Sequence, residues 1–212
     1  NWSNMANTAA PSFPVLTRVG GGLGIYYNKY TTWSDFPLLT YTNYLDFYNN
    51  TNNESSPFAG PGFPALQRIN GNLNYNNNEY MTSVPDFDAL TRCNTIYMQD
   101  NHQLTAFPQF PALTYCAGVY SPNCYEMTSV GTFLPSILWV DGDVNFVNCI
   151  LDEASVDAIL VKLASLDGTN GTTSYDYKSI VLYNGTNAIP SATGLAAKTT
   201  LEGRGCNVYV NS

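Results

Sequence analysis

A chain of 212 residues is long enough for one large domain, or one domain with an appendage, and for a sizeable buried core. Only 11% of its residues are charged, against about 25% in an average globular chain, so Asn, Tyr, Thr and Ser carry the polar load. The net charge of −8 and pI near 4.3 repel phosphates and anionic lipid, which argues against nucleic-acid partners. No run approaches the roughly 18 apolar residues of a membrane span, and no membrane insertion is expected.

Residues 1–12, small and polar around Trp2 and Met5, read as a lead-in or an N-terminal cap. No signal peptide is visible, and because the first residue is Asn1 the chain is expected to be a processed product or a piece of something longer. A repeat then begins. Phenylalanines recur at Phe13, Phe36, Phe63, Phe87, Phe110 and Phe133, in steps of 23, 27, 24, 23 and 23. The long second step coincides with NNTNNESSPFAGPG (49–62), whose Gly, Pro and Asn content predicts a protruding loop that exposes Phe58.

Each unit carries an apolar pair in period-two alternation, the pattern of a short strand. The pairs are Leu23/Ile25, Leu45/Phe47, Leu73/Tyr75, Ile96/Met98, Val119/Ser121 and Val144/Phe146. Five residues after the first member of each pair stands Asn28, Asn50, Asn78, Asn101, Cys124 or Cys149. A unit this short cannot bury its own apolar edge, so its pair must stack on the next unit's pair. An Asn where the chain leaves the strand can satisfy backbone groups that the turn leaves unpaired, and Cys is a small residue that tolerates burial there.

The five cysteines, Cys93, Cys116, Cys124, Cys149 and Cys206, include no CxxC, and no His lies nearby, so no zinc site is expected. Cys124 with Cys149, and Cys93 with Cys116, fall in adjacent units, as buried free thiols or as disulfides. Segments such as TSVPD and TAFPQ carry Pro without a helical stripe, which predicts little helix before residue 150. Residues 151–212 differ. Ser155 is expected to cap a helix burying Val156, Ile159, Leu160 and Leu163 and ending at DGTNG (167–171). A strand at 179–185, a second helix over 191–205 entered at Pro190 and left at Gly203 or Gly205, and a strand in CNVYVN follow. Such a segment would cover the exposed last unit.

The LxLxxN order, with Cys allowed at the Asn position, resembles the leucine-rich repeat family over about residues 13–150. GLGI and GNLNY are similar to receptor L domains as well, a related right-handed solenoid. The resemblance implies a mostly β solenoid: a right-handed leucine-rich-repeat-like coil of about six turns with short parallel strands over 13–150, closed by a small C-terminal α/β cap over 151–212. The tail TNAIPSATGLAAKTTLEGRGCNVYVN is similar to C-terminal segments of repeat-containing bacterial surface proteins and phage structural proteins, which implies an extracellular, cell-surface or virion-surface setting.

Catalysis finds poor material. The single histidine, His102, falls in a turn; there is no GxSxG and no phosphate-cradling glycine loop, and GRG at 203–205 fits a helix exit. Asp141 and Asp143 flank Gly142 and could in principle serve glycoside hydrolysis, or calcium together with Asn145, but a solvated strand edge is the expectation. No catalytic residue, metal or cofactor is assigned.

Binding has better material. If the apolar pairs point inward, the residues between and beside them point outward. These include Tyr26, Tyr44, Asp46, Tyr48, Asn72, Asn74, Asn76, Tyr97, Gln99, Tyr120, Asp143 and Asn145, with Phe58 on the loop as a further contact. Antibody combining sites use a similar vocabulary, and aromatic and amide groups suit sugars; stacked Tyr and Asn ladders also stabilise sheets without binding anything. The expected function is non-enzymatic surface recognition, as an adhesin or receptor-binding module of a cell surface or phage virion, with a glycan or protein as partner. The alternative is a structural decoration, fibre or assembly module contacting neighbouring subunits.

Overall fold

The computed structural model describes residues 2–4, 9–30, 32–51, 57–169 and 174–212. The chain is built mainly of short strands, nine of which form one parallel sheet. In sheet order these are Trp2–Ser3, Leu23–Tyr26, Leu45–Tyr48, Leu73–Asn74, Thr95–Tyr97, Gly118–Tyr120, Val144–Asn145, Ser179–Leu182 and Asn207–Val210. Spatial order follows chain order. Leu23 pairs with Leu45, Leu45 with Leu73, Leu73 with Ile96, Ile96 with Val119, and Val119 with Val144, so the sequence repeat and the strand register coincide.

Both members of all six apolar pairs are buried. Behind them the phenyl rings stack face to face, Phe13 on Phe36 (5.8 Å), Phe36 on Phe63 (4.9 Å), Phe63 on Phe87 (6.3 Å) and Phe87 on Phe110 (5.2 Å). Phe133 leaves this column and packs edge-on against Phe146 instead.

The Asn positions form a hydrogen-bonded ladder. Asn50, Asn78 and Asn101 each donate a side-chain N–H to the strand carbonyl of the preceding unit, at Ile25, Phe47 and Tyr75 (3.0, 2.8 and 2.8 Å). The thiols of Cys124 and Cys149 do the same, donating to Met98 and Ser121 carbonyls at 3.1 and 3.2 Å. All five cysteines are buried and unpaired, so the thiol reading holds over the disulfide. Asn187, which the sequence repeat does not reach, takes the next rung by donating to Phe146 (2.9 Å).

Among the described residues no helix precedes α1 (Glu153–Ala164). Its cap is Asp152 rather than Ser155: the carboxylate accepts the Ser155 N–H at 2.7 Å, where it also meets the positive end of the helix dipole. The Ser155 hydroxyl is buried and instead accepts the Val130 N–H (3.1 Å). Val156, Ile159, Leu160 and Leu163 are buried as expected. The expected stop, 167–171, is described only as far as Thr169. α2 (Ala192–Gly203) follows Pro190 with Ser191 as its cap, and Gly205 leaves it at φ +84°. The two helices pack together, while the last two strands continue the main sheet and share one buried cluster that runs from Leu23 to Val208.

The side away from the main sheet is more regular than its sequence suggests. Tyr41–Thr42 pairs with Arg68–Ile69 and Tyr115–Cys116 with Trp139–Val140, and single bridges at Arg18, Arg68 and Arg92 join them into a second parallel line. Phe58–Ala59 and Met81–Ser83 form part of a third. This pairing corrects the expectation for Phe58. Its N–H bonds to the Tyr80 carbonyl (3.1 Å) and its ring turns inward toward Trp33 and Phe47, leaving it 4% exposed, because burying a phenyl ring outweighs exposing it on a loop. The centre of that insert, 52–56, and residues 1 and 5–8 of the lead-in lie outside the described residues.

Candidate recognition face

Parallel register sorts the outward residues of the main sheet into rows. One row runs Gly24, Asp46, Asn74, Tyr97, Tyr120, Asn145, Val181, Tyr209. Tyr26 and Tyr48 begin a second, which continues to Asn76 and Gln99 through an Asn76 side-chain bond to the Gln99 N–H (3.0 Å). Tyr44, Asn72 and Asp143 lie in a third, beside Gly22, Thr95 and Gly118. The twelve predicted sheet residues therefore share one face, and Phe58 does not.

Many of the polar groups on this face already serve the backbone. Asn72 accepts from the Thr95 N–H (3.3 Å), Asn74 from Asn76 (3.0 Å), Asn145 from Val147 (2.9 Å) and Asp143 from Ser179 (2.8 Å). Asp46 is half-buried, and desolvation holds its carboxyl above the usual range although an Asn74 hydrogen bond opposes the shift. These groups rigidify the surface. The capacity left for a ligand is largely aromatic.

The aromatics form two platforms. Tyr97 stacks on Tyr120 at 5.5 Å, and the Tyr120 phenol is raised by burial and by the neighbouring Asp143 carboxylate. Tyr26 stacks on Tyr48 at 5.0 Å, and Tyr27, absent from the sequence-based set, meets both rings edge-on at 6.0 and 5.9 Å. Tyr44 lies over Gly22, where any Cβ would fall 1.8 Å from the ring.

Tyr27 breaks a pattern that the other five repeat units keep, although Leu134 and Tyr177 outside the ladder column also adopt positive φ. In the six repeat units the residue before the ladder position is left-handed, and apart from Tyr27 it is Asn49, Asn77, Asp100, Asn123 and Asn148, the types that tolerate positive φ. Tyr27 adopts φ +58° with a bulky side chain and remains 51% exposed. The signal was available in the sequence as a Tyr in the Asn column; only its backbone angle makes it informative.

The remaining chemical candidates separate. Asp143 binds the Ser179 N–H on the main sheet, whereas Asp141 follows Val140 on the second line with its backbone N–H on the Cys116 carbonyl (3.2 Å), so the two carboxylates serve different faces. His102 lies 3.8 Å from Glu79 and stacks on Tyr125 at the surface. Among the described residues, no group of three or more His, Cys, Asp or Glu side chains is placed to hold a metal ion. Comparison with family models, curated proteins and solved structures finds no match to the chain.

Proposed function

We propose that this chain is a leucine-rich-repeat-like solenoid that recognises a glycan or protein at a cell or virion surface and performs no chemistry of its own. The observation that carries the reading is the cluster of Tyr26, Tyr27 and Tyr48. A bulky residue with positive φ costs about 1–2 kcal/mol, and it persists here at a half-exposed site where Asn would fit. A cluster held in place against its backbone preference is one kept for what it touches. Stacked rings two strand spacings from a second tyrosine platform, roughly 10 Å apart, present flat apolar faces to sugar rings, with the fixed amides of Asn74 and Asn76 between them. In-order parallel pairing and the Asn/Cys ladder support the solenoid.

The test is a glycan array and a host-surface binding assay with wild type, Tyr27→Asn and the double variant Tyr48→Ala/Tyr97→Ala. Both variants are expected to keep the wild-type circular dichroism and lose binding. Retained binding in both would overturn the reading.

A second reading, assembly, is favoured by the last strand. Asn207–Val210 is an edge of the sheet, beside a groove of about 670 Å³ lined by Tyr183, Ile189, Leu195, Val208, Tyr209 and Val210. Open edges flanked by exposed apolar side chains pair readily with another chain. Reversible self-association in sedimentation, abolished by Leu195→Lys, would favour it.

A further inference from the structure

Arginine is scarce in this chain, at four residues, and three of the four stand in one column. On the second parallel line Arg18 pairs with Tyr41, Tyr41 with Arg68, Arg68 with Arg92, Arg92 with Tyr115 and Tyr115 with Trp139. The residues following Tyr41, Arg68, Arg92, Tyr115 and Trp139, namely Thr42, Ile69, Cys93, Cys116 and Val140, are buried, and Val19 after Arg18 is half-buried, so the named side chains face outward along one stripe. The fourth arginine, Arg204, is spent on the carbonyls of Ala164 and Leu166.

The stripe is built to hold its cations in place without neutralising them. Arg18 lies over the Tyr41 ring at 4.2 Å and Arg92 over the Tyr115 ring at 4.0 Å, and the Arg68 Nε donates to Asn70 Oδ1 at 2.8 Å. Asn70 in turn donates to the Tyr41 hydroxyl at 2.6 Å, which fixes the platform. Among the described residues the ion pairs are His102 with Glu79 and Lys198 with Glu202, and neither touches this column. Arg68 and Arg92 therefore stand one strand spacing apart, roughly 5 Å along the backbone, as adjacent like charges in a protein of net charge −8. An anion between them would turn that repulsion into charge-assisted hydrogen bonds. Next to Arg92 a groove of about 330 Å³ is lined by Thr114, Tyr115 and Trp139, an aromatic wall for one sugar ring. Asp141, whose backbone N–H bonds to the Cys116 carbonyl (3.2 Å) next to Tyr115, places a carboxylate near that end and assigns the anion to the Arg68/Arg92 side.

We propose that this stripe is a second carbohydrate site, for a carboxylate-bearing polysaccharide that stacks one ring in the Trp139 groove and sets its acid groups against Arg92 and Arg68. The site lies on a different face from the tyrosine cluster and does not depend on it.

The experiment is affinity electrophoresis and calorimetry of the chain with polygalacturonate, fully methyl-esterified polygalacturonate and a single-stranded DNA oligomer. Wild type is expected to bind the free acid, with affinity falling as salt rises, and to ignore the ester and the DNA. Arg68→Gln/Arg92→Gln, exposed and away from the core, should weaken binding by roughly tenfold to a hundredfold, as should Trp139→Ala, while Lys29→Gln, an exposed cation outside the stripe, leaves it unchanged. Equal binding of acid and ester, equal binding of DNA, no binding by wild type, or full binding by the double arginine variant would each overturn the proposal.

Discussion

Replacing Asn78 with alanine tests the ladder that holds the units together. Asn78 is fully buried; its Oδ1 accepts the Asn50 backbone N–H at 2.9 Å, and its Nδ2 donates to the carbonyls of Phe47 (2.8 Å) and Tyr75 (2.7 Å). The Tyr75 carbonyl keeps a second donor in Asn101 (2.8 Å), so two backbone groups, Asn50 N–H and Phe47 C=O, lose the bonds that Asn78 supplies. At about 1–3 kcal/mol for each buried polar group left unsatisfied, Asn78→Ala should destabilise by roughly 2–6 kcal/mol, a large part of the roughly 5–15 kcal/mol a domain has. Asn78→Cys is the internal control. Cys124 in the same column donates to the Met98 carbonyl at 3.1 Å, so a thiol keeps one of the two backbone bonds. Equilibrium urea unfolding should place the Cys variant between wild type and Ala. A loss below about 0.5 kcal/mol in the Ala variant, the range of ordinary surface substitutions, would refute the ladder as a principal source of stability.

Two glycines should separate stability from recognition. At Gly142 an added Cβ would lie 2.2 Å from the Ala117 carbonyl oxygen, which is backbone, so Gly142→Ala should lower the melting temperature by several degrees. At Gly22 the obstacle is the Tyr44 ring, which can swing away; Gly22→Ala should melt near wild type and shift the tyrosine fluorescence instead. The thiols predict an alkaline limit. Burial pushes Cys116 up to about 12 and Cys93 well above its ordinary value. An unfolded thiol ionises first as pH rises, so stability is full below about pH 8.5 and should fall by up to about 1.4 kcal/mol per pH unit for each such thiol toward pH 12. Urea midpoints between pH 8 and 11 read this slope, which Cys116→Ser should reduce. A thiol reagent at pH 8 should label no cysteine in the native chain and all five in urea, since all five are buried.

Strand positions, apolar pairs and the Asn/Cys column were legible in the residues because each is a local pattern that recurs with the period of the chain. The outward face followed from the same alternation: once Leu45 and Phe47 point inward, Asp46 and Tyr48 must point out. Helix α2 was legible for a similar reason, with Pro190 and Gly205 marking its ends.

What the tertiary structure decided are the features that depend on register between distant units or on competition for burial. Phe58 reads as exposed until the core offers it Phe47 and Trp33. The cap of α1 falls to Asp152 because Val130 claims the Ser155 hydroxyl. The last two strands join the main sheet only when Val144 and Ile180 meet across 36 residues that carry no repeat. The arginine stripe depends on the same kind of alignment, since Arg18, Arg68 and Arg92 are separated by unequal steps and the insert between Tyr41 and Arg68 must close before they share a column. Alternation along a strand is written in neighbouring residues; which strand positions become neighbours in space is set by how each intervening segment folds back.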